Sequence, residues 1–182
     1  MGKDKAFLCV GSETLLARAL RLAATITETV CIVGDPDKFC AFRHPVISDL
    51  YRERGPLGGI HAALSATNSD LNLVLAVDMP LINSNLLSFL IEKSRQSAAT
   101  VTIPNAGGGF QPLCAVYRKQ FREIAEESLR AGENKIDPLF RKGICRIVTE
   151  DELAQAGFSP EVFRNLNTPE DLEFTRLACR EK

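Results

Sequence analysis

The sequence predicts an α/β fold with a mostly parallel sheet, and three observations carry that reading. Short β-rich runs alternate with amphipathic helical segments almost throughout the chain. The most apolar run, residues 71–77, is continuous rather than alternating, the pattern of a parallel strand covered on both faces. At 182 residues the chain has the size of one ordinary domain, and two halves would each be too small for a good core.

The elements follow in order. Leu15, Leu16, Ala19, Leu20 and Ala23 recur at helical spacing, with Arg18 and Arg21 on the other side. Residues 29–33 form a β-rich run that ends at the turn cluster Gly34-Asp35-Pro36-Asp37. A short helix is expected over 38–42 and a short strand over 46–49. Residues 58–66 read as a helix entered through a glycine-rich segment. The strand over 71–77 stops at Asp78-Met79-Pro80. A helix over 83–95, a strand over 98–103, a turn over 105–109 and a strand over 110–118 come next. They are followed by a helix over 120–131, a short helix over 136–140, a strand over 144–148 and a helix over 150–156. The last helix is punctuated by Thr168 as N-cap, Pro169 at its first position and Asp171 completing a capping box. No repeat, low-complexity tract or linker divides the chain, so residues 1–182 are read as a single domain.

Composition excludes several classes. Apolar residues make up 45% and charged residues 25%, which argues against disorder, collagen and coiled coil. A net charge of −1 gives no global pull toward nucleic acid or anionic lipid, so any phosphate must be held locally. No apolar run is long enough to span a membrane, and the first residues carry no apolar signal core; the expected location is the cytoplasm. The six cysteines form no C-x-x-C pair and only two histidines accompany them, which disfavours structural zinc. Most sit in apolar runs and are expected to be small buried thiols.

Four places could carry chemistry, with Gln111 and Lys135 as softer candidates. Asp78 lies at the carboxyl end of the most apolar strand, where α/β sheets bind ligands, and a hard carboxylate there suits Mg²⁺. A turn-capping role is the equally plausible alternative. Gly55-Pro56-Leu57-Gly58-Gly59 allows close backbone approach ahead of a helix N-terminus, or is merely a loop needing a flexible backbone. Lys5, in Lys3-Asp4-Lys5, could contact a triphosphate or belong to a solvated terminus. In Asn165-Leu166-Asn167 an extended backbone puts both amides on one face, able to read a heterocycle edge or to serve the turn before Thr168. Gln111 and Lys135 could touch a ligand, with surface roles the simpler reading, and His61 reads as a polar position on its helix.

Together these residues resemble the molybdenum cofactor guanylyltransferases (the MobA family). Residues 1–8 are similar to the second half of that family's nucleotidyltransferase signature, and Thr14-Leu15-Leu16 follows at its spacing. Asp49 with Gly55-Pro56-Leu57-Gly58-Gly59 resembles the segment around the guanine nucleotide. Val77-Asp78-Met79-Pro80 resembles the metal-binding turn. Gln111-Pro112-Leu113 and residues 165–172 resemble later motifs. The likeness covers nearly the whole chain in order.

The resemblance implies a three-layer, Rossmann-like nucleotidyltransferase fold and a reaction. A terminal phosphate of molybdopterin attacks the α-phosphorus of GTP, pyrophosphate leaves, and a guanine dinucleotide form of the cofactor results. It implies Asp78 and Lys5 as catalytic residues, Mg²⁺ on Asp78, and phosphate contacts from Lys5. Asp49, Gly55, Pro56, Leu57, Gly58 and Gly59 would join them at the nucleotide. Gln111, Asn165 and Asn167 would face the pterin. Partners would be GTP and molybdopterin, with molybdoenzymes or their chaperones as possible recipients of the product. The family's signature also opens with a strand and a Gly-Gly loop with an arginine, so the native protein is expected to start upstream, with Met1 internal. A relative using CTP or a sugar phosphate, and a non-catalytic nucleotide-binding relic, are the competing readings.

Overall fold

The structure, a computed structural model, describes residues 4–51, 53–142 and 145–180. A 3₁₀ turn over Lys5–Phe7, capped by the Asp4 side chain on the Ala6 amide, leads into a small hairpin of β1 (Cys9–Val10) and β2 (Glu13–Thr14). α1 (Leu15–Ala24) starts at Thr14, whose hydroxyl accepts from the Ala17 amide. β3 (Ile32–Val33) is followed by α2 (Pro36–Phe39), a 3₁₀ turn and β4 (Val46–Ile47). α3 (Gly55–Ala66) leads to β5 (Leu71–Leu75), and α4 (Ser84–Arg95) follows, capped by Asn83. Then come β6 (Val101–Ala106), β7 (Gly109–Phe110), β8 (Cys114–Arg118), α5 (Phe121–Arg130) and α6 (Asp137–Lys142). β9 (Cys145–Val148), α7 (Glu150–Gln155), a 3₁₀ turn over Pro160–Phe163 and α8 (Pro169–Arg180) complete the chain.

The sheet is mixed, where the sequence predicted mostly parallel strands. β3–β4 and β6–β9 pair in parallel, whereas β5–β8, β6–β8, β6–β7 and β1–β2 are antiparallel. The tight return at Gly107 and Gly108, both with positive φ, reverses the chain and sets β7 and β8 against β6. Pro112 has no amide proton to give, and the run predicted as one strand over 110–118 divides into β7 and β8 around it.

Three layers follow from the alternation along β8. Ala115 and Tyr117 face a core shared with Leu57, Ile60 and Leu64 of α3, with α5 and with α6. Cys114 and Val116 face the opposite core, with Leu86, Leu87 and Leu90 of α4 and Leu153 of α7. Arg118 ties the far end together. Its guanidinium donates to the carbonyls of Ser94, Ser97 and Ala99 and pairs with Asp70.

Other expectations are corrected. β5 is half-exposed along its whole length rather than covered, because β8 pairs with one edge only and a cleft opens along the other. Cys114 is a buried thiol as expected, pushed up to about 12 by desolvation, but Cys9, Cys31 and Cys40 are exposed. Cys9 and Cys31 are turned outward while their neighbours Val10 and Ile32 enter cores; Cys31 lines the cleft itself. His61, read as a polar position on its helix, is buried at 3% exposure and stands against the Tyr51 ring, 5.2 Å between centroids. Among the described residues no helix is long and apolar enough to cross a membrane.

Candidate functional site

The site begins with two cleft-lining carboxylates at strand ends. Asp78 follows β5 and Asp49 follows β4, the positions where α/β sheets expose side chains to a ligand. The cleft has a volume of about 680 Å³ and is bounded by Lys5, Asp49, Pro56, Gly59, Val33 and the length of β5.

Lys5 is the centre of one cluster. Its Nζ lies 3.1 Å from Asp78 Oδ2 and 2.5 Å from Asn167 Oδ1, joining residues 73 and 162 positions apart. The turn that carries Asp78 is held from two sides. The Asp78 carbonyl accepts from the Leu166 amide at 2.8 Å, and the Pro80 carbonyl accepts from Arg18 Nε at 2.9 Å. Leu166 is fully buried against Val10 and Leu15, while Asn167 beside it is exposed and reaches Lys5. The Lys5–Asp78 pair is part-buried, with both side chains still reached by solvent from the cleft.

Asp171 fixes the 165–168 segment. One carboxylate oxygen accepts from the amides of Asn167 and Thr168 at 3.0 and 2.9 Å, and the other accepts from Arg164 Nε at 2.9 Å. These bonds, the backbone amide of Asn167 first, hold its carboxyl well below the usual carboxylate range. The capping box read from sequence is therefore present and also fixes the backbone at Asn167.

The second cluster surrounds α3. The glycine-rich segment is itself the first turn of the helix rather than a loop before it. Gly55 has a φ of 61°, and Arg54 gives no side-chain cap, which leaves the first helical amides without that partner. A Cβ on Gly58 would stand 2.9 Å from the Tyr51 carbonyl, so only glycine lets the incoming chain cross there. A Cβ on Gly59 would lie 3.5 Å from Val33 and 3.6 Å from Asp49 Oδ1. Leu57 is wholly buried in the core and Gly58 backs onto Tyr51, so of the five residues Pro56 and Gly59 line the cleft. Asp49 Oδ1 is buried without a hydrogen-bond partner, and desolvation pushes its carboxyl up.

Gln111 is turned inward, its amide nitrogen donating to the Ala106 carbonyl at 2.9 Å, and Lys135 is exposed at the start of the α6 segment. Sequence reasoning passed over Arg18 and Arg164. Both read as ordinary polar-face or loop charges, and nothing in their spacing signals that one braces the Asp78 turn and the other braces Asp171.

The donor set suits Mg²⁺. Asp78 offers a hard carboxylate and Asn167 an amide oxygen beside it. Among the described residues no group of three or more His, Cys, Asp or Glu side chains could cage a metal alone. One carboxylate shared with phosphate oxygens is the usual Mg²⁺ arrangement.

Comparison with known proteins places these features in context. The MobA-like NTP transferase domain family matches residues 1–147. A probable molybdenum cofactor guanylyltransferase from Pelotomaculum thermopropionicum is 35% identical over 178 residues, covering 97% of this chain and 86% of that protein. Another from Clostridium perfringens strain 13 is 31% identical over 173 residues, covering 94% and 86%. The crystal structure of molybdopterin-guanine dinucleotide biosynthesis protein A from Archaeoglobus fulgidus superposes with a TM-score of 0.86 at 22% identity, over 100% of this chain and 93% of that one, a likeness of fold.

Proposed function

This chain belongs to the MobA-like NTP transferase family, and from that premise we propose that it transfers GMP from GTP to molybdopterin. The observation that carries the reading is Lys5 Nζ held between Asp78 and Asn167, a cation and a carboxylate at one strand end.

In this reading the guanine sits by Asp49 and the open first turn of α3. Asp49 Oδ1, buried and unpaired, takes the donor edge of the base, which removes the penalty of its own desolvation. Gly59 keeps the floor low beside it. Lys5 leaves Asp78 for the triphosphate oxygens and neutralises charge on them. Asp78 would hold Mg²⁺, which supplies charge neutralisation at the α-phosphate and the leaving pyrophosphate. Asn167, held beside the anchored Leu166, and Asn165 orient the pterin phosphate. A terminal phosphate oxygen of the pterin then forms the new bond to the α-phosphorus as the bond to the β-phosphate breaks. Gln111, bonded to Ala106, supports the pterin side through the backbone it holds.

Pyrophosphate release from GTP, Mg²⁺ and molybdopterin tests the assignment. Asp78→Ala is expected to abolish turnover with the fold intact by circular dichroism. Undiminished turnover, or tighter binding of CTP than GTP, overturns it.

A further inference from the structure

Asp49 stands between β4 and α3 in a position that its own side chain does not explain. Among the described residues Asp49 Oδ1 has no hydrogen-bond partner, although it is buried. A desolvated carboxylate is drawn toward water, so the backbone on either side must hold it in place. Upstream, the Ile47 carbonyl accepts from the Gly34 amide at 2.9 Å. Downstream, Leu50 is 66% exposed, and the next side chain to turn inward is Tyr51.

Tyr51 is gripped from three directions. Its ring packs on the α3–α5 core and meets the His61 ring nearly edge-on, 77° between planes. Its hydroxyl lies beside the Arg130 guanidinium of α5. Its carbonyl crosses α3 at Gly58, where a Cβ would come within 2.9 Å. His61 suits this contact. Its Nδ1 is buried without a partner, and its Nε2 meets Ser65 Oγ at 3.5 Å. Burial holds its pKa down, with Glu126 of α5 opposing and Arg122 and Arg130 reinforcing, so it offers Tyr51 a neutral ring. The chain beyond is also constrained. Glu53 has a φ of 60°, a left-handed conformation that a non-glycine residue keeps only where its surroundings impose it. Tyr51 before it is one fixed point. Arg54 after it, whose Nη1 donates to Asn134 Oδ1 at 3.2 Å, is the other.

We propose that Tyr51 is a positioning residue for the nucleotide: anchored on His61 and beside Arg130, it holds the Asp49 carboxylate next to Gly59 and thereby sets the discrimination of the base. The proposal rests on the reading that Asp49 meets the donor edge of guanine. Tyr51 itself touches no substrate.

Calorimetric binding of GTP and ITP, which lacks the 2-amino donor, tests it. Tyr51→Leu is expected to weaken GTP binding about tenfold and ITP binding by much less. Tyr51→Phe keeps the ring on His61 and should restore most of the difference. Added to Asp49→Asn, Tyr51→Leu should cause little further loss, because both act on one carboxylate. Arg130→Gln, at an exposed side chain, should show a smaller loss of the same kind, about two- to threefold, and decides the matter if Tyr51→Leu does not fold. Unchanged GTP affinity in folded Tyr51→Leu overturns the proposal. So do equal losses for GTP and ITP, or losses that multiply in the double variant. Unchanged GTP affinity in Asp49→Asn alone overturns the reading of Asp49 itself, and the proposal with it.

Discussion

β5 and β8 are both five residues long and pair with each other over their full length, yet they live differently. β8 is buried at four of five positions, with Tyr117 and Ala115 wholly covered. β5 is apolar at four of its five positions, as β8 is, yet every position is half-exposed. The difference is not in their residues. β8 has strand neighbours on both edges, β5 and β6, and helices on both faces. β5 has a neighbour on one edge and the cleft on the other. Burial is a property of the neighbours a strand acquires, and the open side is also where the cleft-lining carboxylates Asp49 and Asp78 stand.

Substitutions can break this comparison, and the largest effect belongs to the closed half. Leu86→Ala, at a fully buried position of α4, should cost about 2–5 kcal/mol in urea unfolding, whereas Leu73→Ala in β5 should cost less than half as much. Equal losses would mean that β5 is packed as tightly as α4. Next comes Gly58→Ala, whose methyl would press on the Tyr51 carbonyl and should cost about 1–3 kcal/mol. Gly59→Ala meets only ordinary contacts and should leave stability within about 0.5 kcal/mol while weakening GTP binding by calorimetry.

The smallest effects separate two carboxylates by sign. Glu152 joins α7 to Arg146 of β9 and Lys93 of α4 in the closed half, and the Arg146 hydrogen bonds bring its carboxyl from 4.5 down to about 2. Its folded value is depressed, so its stabilisation is present above pH 4.5 and is lost as pH falls toward 2. Glu152→Gln should lower the urea midpoint at pH 7, and the gap to the parent should narrow in acid. Asp49 is the opposite case. Burial raises its folded value, so ionisation at neutral pH opposes folding. Asp49→Asn should therefore raise the urea midpoint slightly at pH 7 and weaken GTP binding. A destabilised Asp49→Asn would show that the carboxylate has a partner holding the fold together.

Much of the site was legible because it is local. Asp78 at the end of an apolar run, the glycines at the head of a helix, and the Thr168–Asp171 box are patterns of neighbouring residues whose physics acts over one turn. Residues 29–33 and 71–77 were read as full strands from β-rich composition, but β3 contains only Ile32 and Val33 and β5 stops at Leu75. Pairing, not propensity, sets those limits. The role of Leu57 could not be read either, since a leucine beside glycines looks the same whether it faces a ligand or, as here, the core.

By itself the chain of residues determined the alternation of strands and helices and the caps, because each depends on interactions within a few positions. Only the tertiary structure decided that Lys5 meets Asp78 and Asn167, that β8 runs antiparallel to β5, and that one strand edge stays open. Those outcomes rest on contacts between segments dozens of residues apart, where loop closure and shared burial, rather than local preference, select the partner.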